Sequence, residues 1–161
     1  MRIYLIGMPG SGKTTIGEKL AKKLNYQFVD LDAEISQQQQ MTIHQIFLKS
    51  GEAEFRKLET QALQNLGNNI VVACGGGIVL NRKHKEMMNG LIVLINVTIE
   101  SIAKRIQSQA ERPLLKTNSL MELYKQRESL YYDFADLIVS NEQGLNQTVT
   151  KLYKEIQMRL K

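Results

Sequence analysis

Short apolar runs alternate with longer amphipathic segments along this chain. Runs of strand length occupy residues 3–6, 27–29, 70–73, 91–97 and 137–139. In the segments between them, apolar residues recur every three or four positions, which predicts amphipathic helices. Because parallel strands need crossover helices, the alternation predicts an α/β fold with a mainly parallel sheet.

Three helical stripes are clearest, and no linker rich in proline or glycine separates them. They comprise Ile16, Leu20 and Leu24; then Phe55, Leu58, Ala62, Leu63 and Leu66; and finally Leu145, Val149, Leu152, Ile156 and Leu160. We therefore expect a single domain over residues 1–161. The polar stretch at about 107–118, which contains Pro113, interrupts two helical patterns and predicts a mobile loop or lid.

Composition narrows the class of protein further. Apolar residues make up 43% and charged residues 23% of the 161 residues, as in an ordinary globular protein. The N-terminal apolar run is too short for a signal peptide, no run is long enough to span a membrane, and the single cysteine excludes an internal disulfide. A cytoplasmic protein is the simplest interpretation.

The net charge of +5 favours anionic partners such as nucleotides, phosphates and carboxylates. The basic residues are scattered, however, and aromatic residues make up only 6% of the chain. Both facts argue against nucleic acid as a partner, because such proteins carry dense basic patches or stacking aromatics.

The strongest motif is the segment from Gly7 to Thr14, Gly-Met-Pro-Gly-Ser-Gly-Lys-Thr, which fits the phosphate-binding P-loop pattern. It follows an apolar strand and opens a helix, so its backbone N–H groups can surround phosphate oxygens. Lys13 is expected to reach the β- and γ-phosphates, and the Thr14 hydroxyl to bind Mg²⁺. The alternative is a glycine-rich turn with a surface lysine.

Asp30 and Asp32 directly follow the second apolar run. If the strand continues through both, their carboxylates point to the same side and face the ligand crevice at the carboxyl end of a parallel sheet. One could then support Mg²⁺ and the other accept a hydrogen bond from a substrate hydroxyl. The alternative is a solvated turn with a helix N-cap, for which aspartate is also favoured.

The run Ile70–Ala73 leads through Cys74 into Gly75-Gly76-Gly77, and three glycines there would let a backbone approach a ligand closely. Arginine suits bidentate recognition of carboxylates and phosphates. The candidates are Arg56, Arg105, Arg112 and Arg127, although a solvated helix face is the usual place for any single arginine.

Other polar candidates are weaker. His44 and His84 lie in polar helical segments and are expected to be solvated. Cys74 is expected to be a buried small residue rather than a nucleophile. Neither cysteine nor histidine is clustered as metal ligands would be.

These motifs together resemble the shikimate kinase family. After the P-loop come Asp-Leu-Asp and a Thr-Ile-His-Gln-Ile-Phe segment that ends at Phe47. Next come Ser-Gly-Glu-x-x-Phe-Arg-x-x-Glu ending at Glu59, the triple glycine, Arg112-Pro-Leu-Leu and Arg127-x-x-x-Tyr131. The order and spacing fit from residue 3 to about residue 137. The P-loop by itself fits many proteins, but the later motifs are far more selective.

The resemblance implies a P-loop three-layer sandwich with a five-stranded parallel sheet, a lid and a small substrate-binding subdomain at about 32–62. It implies phosphoryl transfer from ATP, with Mg²⁺, to the 3-hydroxyl of shikimate, by a protein that is expected to be a monomer and to bind neither nucleic acid nor membranes. Three groups of residues carry over by position. Catalysis would rest on Lys13, Asp32 and Arg112. The nucleotide would be held by Gly10, Ser11, Gly12, Lys13, Thr14, Thr15, Arg105 and Arg112, and Mg²⁺ by Thr14 and, through water, by Asp30. Shikimate would contact Asp32, Phe47, Phe55, Arg56, Gly75, Gly76, Gly77 and Arg127.

Within these roles, Asp32 is the expected general base, and Arg56 with Arg127 would bind the shikimate carboxylate. Arg105 would stack on adenine, and Arg112 would close over the phosphates. One departure from the family is Cys74, where members often have serine or threonine, and a thiol is a poor hydrogen-bond partner in a Mg²⁺ water shell. Rival interpretations are another kinase of the same fold, such as a gluconate or nucleoside-monophosphate kinase, and an ATP-binding regulatory module.

Overall fold

The computed structural model of the protein describes residues 1–107 and 117–161. In these ranges the chain forms five strands, seven α-helices and one short 3₁₀ helix at Ile78–Leu80. The strands are Arg2–Ile6 (β1), Gln27–Asp30 (β2), Ile70–Ala73 (β3), Leu91–Asn96 (β4) and Leu137–Ser140 (β5). The helices are Lys13–Leu24 (α1), Leu31–Gln39 (α2), Ile43–Gln64 (α3), Lys83–Met87 (α4), Ile99–Gln107 (α5), Thr117–Phe134 (α6) and Leu145–Leu160 (α7).

The five strands form one parallel sheet in the order β2-β3-β1-β4-β5. Each predicted apolar run became a strand with bounds within one residue of the prediction. The central strands are buried on both faces, which explains why they are continuous apolar runs rather than alternating ones. The predicted α/β fold with a five-stranded parallel sheet is confirmed.

The strand order places helices on both faces of the sheet. The crossover from β1 to β2 runs in the opposite direction to the later crossovers, and parallel crossovers are right-handed. Helix α1 therefore covers one face, where it packs against α7, and α3, α4 and α6 cover the other. The reversal at β1 opens a crevice at the carboxyl ends of β1 and β3, where ligands bind in open α/β sheets.

Helix α3 is bent at Gly51, whose backbone angles (φ 83°, ψ 168°) are not helical. The helix begins with a capping box, in which the Thr42 side chain accepts from the Gln45 backbone and the Gln45 side chain accepts from the Thr42 backbone. It ends at Gln64, so Leu66 of the predicted stripe lies just beyond it. The bend divides α3 into a short first part and a longer second part that carries Arg56.

The protein has a main core around the sheet and a second, smaller cluster. Buried Ile35, Ile46 and Phe55 form the second cluster, with Phe47 among the partly buried side chains around it. This cluster lies within the segment 32–62, for which a substrate-binding subdomain is predicted. Among the described residues, no helix is long and apolar enough to cross a membrane.

Candidate active site

The P-loop connects β1 to α1 through glycines with positive φ. Gly7, Gly10 and Gly12 have φ values of 146°, 82° and 98°, which other residues adopt with strain. Helix α1 starts at Lys13, and its N-cap, Gly12, has no side chain to satisfy the N–H groups of the first turn. This turn can therefore bind an anion, as the motif predicts. Thr15 is exposed in the same turn.

The Lys13 side chain is buried and folds back over the loop. Its ammonium donates to the carbonyls of Gly7 at 2.7 Å and Met8 at 2.9 Å. The ammonium is thus a buried charge that these two carbonyls hold at the phosphate loop, which suits a group that meets an anionic phosphate. The surface-lysine alternative for this motif does not fit its burial.

Thr14 and Asp30 are joined directly: the Thr14 hydroxyl donates to Oδ2 of Asp30 at 2.7 Å. The other carboxylate oxygen of Asp30 accepts from the backbone N–H of Ala33 and caps α2. The prediction that strand alternation aims both aspartates to one side was wrong, because β2 ends at Asp30 and Asp32 lies in the first turn of α2. Both aspartates nonetheless lie at the carboxyl end of β2.

Hydroxyl and carboxylate oxygens are the hard donors that Mg²⁺ prefers. No group of three or more His, Cys, Asp or Glu is placed to hold a metal in residues 1–107 and 117–161. Mg²⁺ in kinases needs no such cage, because water and substrate phosphates complete its octahedron. The Thr14–Asp30 pair therefore fits Mg²⁺ held together with a nucleotide.

The three consecutive glycines after Cys74 each lie against a different predicted substrate-binding side chain. A methyl group added at Gly75 would lie 2.6 Å from Oδ1 of Asp32, and one at Gly77 would lie 2.5 Å from Nη2 of Arg56. A methyl group at Gly76 would lie 3.1 Å from Nη1 of Arg127. Side chains at these positions would push the three charged groups away, so the glycines allow one carboxylate and two guanidinium groups to converge.

Arg56 is held in this arrangement by two carboxylates of its own helix. Its Nη1 pairs with Glu59 at 2.8 Å and its Nη2 with Glu52 at 3.2 Å. The Nε atoms of Arg56 and Arg127 are both buried, and neither has a hydrogen-bond partner among the described residues. Buried donors of this kind are rarely left unsatisfied, which fits a site that awaits an anionic ligand.

Glu59 has a position that the sequence analysis missed, although the residue was part of the motif. Its side chain is 1% exposed, and it lies close enough to Asp32, Arg56 and Arg127 for their charges to affect it. Burial raises the pKa of this carboxyl, and the two guanidinium groups oppose that rise. The signal was available, because Glu59 lies four residues after Phe55 and so falls on the apolar stripe of α3.

Phe47 and Phe55 lie on the two parts of α3 and meet across its bend. Their ring centroids are 4.9 Å apart with an interplanar angle of 37°, and the Arg56 guanidinium lies 5.2 Å from the Phe55 ring centre. The two rings are therefore in contact with each other beside Arg56, and their role as a wall under a substrate ring remains a prediction.

Arg105 lies on the other side of the P-loop. Its guanidinium donates to the carbonyls of Gly10, Ser11 and Asn141, the last at 2.8 Å. Buried Asn141, which the sequence analysis did not single out, also donates to the Ser11 carbonyl at 2.9 Å. These bonds fix Arg105 next to the phosphate loop, and its stacking on adenine remains a prediction. The buried Ser11 hydroxyl has no hydrogen-bond partner within the described ranges.

Tyr131 and Pro9 join the glycine segment to its surroundings. The Tyr131 hydroxyl donates to the Gly76 carbonyl at 2.6 Å, which ties the segment to α6, the helix that carries Arg127. A methyl group at Gly76 would lie 2.9 Å from Pro9, so the phosphate loop and the glycine segment are in contact. The two predicted sites, for nucleotide and for acceptor, are therefore adjacent.

Three further predictions can be compared with the structure. His44 is exposed as expected, but the expectation that His84 is solvated was wrong, since its side chain is fully buried. Cys74 is buried, and burial raises the pKa of its thiol, so it is not poised as a nucleophile. Arg112 and most of the predicted lid at about 107–118 lie outside the described residues.

Comparison with known proteins agrees with this geometry. The sequence model of the family described as shikimate kinase matches residues 9–157. The chain belongs to the shikimate kinase family. A shikimate kinase of Rippkaea orientalis is 42% identical to it, over 97% of this chain and 86% of that protein.

Solved structures of family members also superpose closely. The shikimate kinase from Acinetobacter baumannii in complex with shikimate is 34% identical, with a TM-score of 0.91 over 98% of this chain and 93% of that one. The shikimate kinase from Aquifex aeolicus is 36% identical, with a TM-score of 0.87 over 99% of this chain and 98% of that one. The resemblance inferred from motifs is thereby confirmed for the family and for the fold.

Proposed function

We propose that this protein transfers the γ-phosphoryl group of ATP to the 3-hydroxyl of shikimate, giving shikimate 3-phosphate and ADP for aromatic amino-acid biosynthesis. The observation that carries this proposal is the convergence of Asp32, Arg56 and Arg127 on the three glycines, directly beside the P-loop. The family membership and the shikimate bound to the Acinetobacter baumannii relative support the same acceptor.

The nucleotide phosphates are placed on the backbone N–H groups of the P-loop and the first turn of α1. Lys13 neutralises charge on the transferring phosphoryl group, moving from the Gly7 and Met8 carbonyls to phosphate oxygens. Gly10, Ser11, Gly12 and Thr15 belong to the same cradle, and Arg105 lies beside the base. Phosphoryl transfer depends mainly on such positioning and charge neutralisation.

The acceptor is placed on the opposite side of the loop. The guanidinium groups of Arg56 and Arg127 bind the shikimate carboxylate, for which their buried Nε atoms are suitable donors. The ring rests against Phe47 and Phe55, and the backbone of Gly75, Gly76 and Gly77 lines the site. Asp32 accepts the proton of the 3-hydroxyl while the oxygen of that hydroxyl attacks the γ-phosphorus and ADP leaves.

Thr14 and Asp30 would hold Mg²⁺, directly or through water. When bound there with ATP, Mg²⁺ neutralises negative charge on the β- and γ-phosphates. Arg112 remains a candidate for the same task on the basis of sequence. The cytoplasmic location and the monomeric state also remain predictions.

A coupled assay of ADP release tests the proposal against its rivals. The acceptors are shikimate, gluconate and a nucleoside monophosphate, each with MgATP. We expect kcat/KM for shikimate to exceed that for the other two by several orders of magnitude, because their shapes do not match a site built for a ring carboxylate. A preference for another acceptor would refute the substrate while retaining the kinase, and ATP binding without turnover of any acceptor would favour a regulatory module.

A further inference from the structure

His84 is a fully buried histidine that the proposed mechanism does not use. It lies in α4, and both nitrogens of its ring have partners. Nδ1 is 2.8 Å from the carbonyl oxygen of Ile78, and Nε2 is 2.8 Å from the hydroxyl of Thr60. The ring therefore bridges the segment that follows the three glycines and the helix α3.

The chemistry of the partners assigns the protons. A carbonyl oxygen can only accept, so Nδ1 carries a hydrogen and donates it to Ile78. Burial lowers the pKa of His84, which favours the neutral ring, and Nε2 then accepts the hydroxyl hydrogen of Thr60. The same hydroxyl lies 3.0 Å from the Arg56 carbonyl, so its single hydrogen is shared between Nε2 and that carbonyl oxygen.

Both ends of this bridge are next to groups of the acceptor site. Ile78 directly follows Gly77, whose backbone is in contact with the Arg56 guanidinium. Thr60 lies one turn of α3 away from Arg56. It is next to Glu59, whose carboxylate pairs with Arg56. The bridge thus spans the two backbone segments whose separation determines where the Arg56 guanidinium lies.

The same region is also joined to α6, the helix of Arg127. Arg82, which precedes α4, pairs with Asp133 of α6 at 3.1 Å, and Lys85 pairs with the same carboxylate at 3.7 Å. These two pairs are exposed and add little stability by themselves. They join this segment to α6, and with the contact between His84 and Thr60 of α3, the α4 region meets both helices that carry the predicted carboxylate-binding arginines.

We propose that His84 is a positioning residue of the acceptor site, which sets the distance between the Gly75–Gly77 segment and the part of α3 that carries Arg56. This inference rests on the proposed function, because it assumes that Arg56 binds the acceptor carboxylate. A shift of about 1 Å in a positioning contact can lower activity by as much as 10²-fold. A bridge of two buried hydrogen bonds is suited to prevent such a shift.

The test measures binding of the two ligands separately by calorimetry, shikimate without nucleotide and MgADP without shikimate. His84→Leu removes both hydrogen bonds and fills the buried position with an apolar side chain. We expect it to raise the Kd for shikimate by about fivefold or more, the effect of losing one or two orienting hydrogen bonds. The Kd for MgADP should stay within about twofold of the wild-type value, since Ile78 and Thr60, the hydrogen-bond partners of His84, both lie outside the P-loop. Glu86→Gln, at an exposed position of α4, is the control and should bind both ligands as the wild type does.

A milder pair of variants keeps the test decisive if His84→Leu does not fold. Thr60→Val removes the hydroxyl with little change of shape, and it should weaken shikimate binding selectively. Thr60→Ser keeps the hydroxyl and should recover most of the lost affinity. If Thr60→Val and, where it folds, His84→Leu leave the Kd for shikimate unchanged, or weaken both ligands equally, the positioning role is refuted. A wild-type protein that neither binds nor phosphorylates shikimate would instead refute the proposed function.

Discussion

Gly77 and Arg56 are in direct contact: a methyl group at Gly77 would lie 2.5 Å from Nη2 and 2.7 Å from Nη1 of the guanidinium. The backbone angles of Gly77 (φ −94°, ψ 7°) are accessible to alanine, so the contact, rather than the conformation, requires glycine here. The guanidinium cannot easily retreat, because Glu52 and Glu59 both hold it.

Gly77→Ala is therefore expected to displace the guanidinium without unfolding the protein. We predict that KM for shikimate rises by about tenfold, the effect of losing one hydrogen bond to a charged group, while KM for ATP hardly changes. Gly67→Ala is the matched control, because a methyl group there meets nothing within 4 Å. Wild-type kinetics in Gly77→Ala would show that Arg56 does not contact the acceptor.

Lys13→Met tests the phosphate loop. The substitution removes the buried ammonium but keeps a long side chain, and we expect kcat to fall by at least about 10²-fold, as when a group that stabilises transition-state charge is lost. Lys22→Met, an exposed position of the same helix, should keep wild-type kcat. A near-normal kcat in Lys13→Met, measured with a folded protein, would contradict the assignment of this loop.

The fold could be predicted from the sequence because its signals, the apolar runs, the phosphate loop and the helix caps, each involve residues that are close together in the chain. The central strands β3 and β4 were nearly continuous apolar runs, since a parallel sheet covered on both faces buries almost every side chain of its central strands. The phosphate loop was equally clear, since its chemistry depends on consecutive residues. Even the capping box at Thr42 and Gln45 could be predicted from spacing alone.

The contacts that organise the acceptor site could not be predicted in this way. Asp32, Arg56 and Arg127 come from three different helices, and only the folded sheet brings them to the glycines. His84 was expected to be solvated because its neighbours in sequence are charged, yet α4 packs it against Ile78 and Thr60. Such long-range partners leave no periodic signal in the sequence.

Asp32→Asn tests whether Asp32 acts on the acceptor hydroxyl or belongs to the metal site. The amide keeps the size of the side chain but cannot accept the proton of a hydroxyl, so kcat should fall by at least about 10²-fold, within the usual contribution of a general base. The Kd for MgADP should change little. Glu34→Gln, also an acid in the first turn of α2, is the control. If nucleotide binding weakened strongly and turnover did not, Asp32 would belong to the metal site instead.

Asp30→Asn tests the proposed magnesium pair. Asparagine caps helices about as well as aspartate, so α2 should keep its start, and the loss of charge becomes the main effect. We predict that the Mg²⁺ concentration for half-maximal activity rises severalfold, while shikimate binding without nucleotide stays the same. An unchanged Mg²⁺ requirement would mean that Thr14 and Asp30 only stabilise the loop.

Arg127 allows the sharpest test of the carboxylate site, because its buried Nε has no partner among the described residues and its Nη1 faces Gly76. Removing one partner from a buried charge pair costs about 2–5 kcal/mol, so Arg127→Ala should raise KM for shikimate by about 30-fold or more. KM for ATP should change little.

Arg127→Lys adds a geometric criterion to this test. An ammonium restores the charge but not the planar fork that binds both carboxylate oxygens, so the variant should recover only part of the lost affinity. Arg82→Ala, which removes an exposed arginine that pairs with the same helix, controls for general effects on α6. If Arg127→Lys recovered full affinity, Arg127 would act as a simple charge, and if Arg127→Ala retained wild-type KM, the carboxylate would have to bind elsewhere.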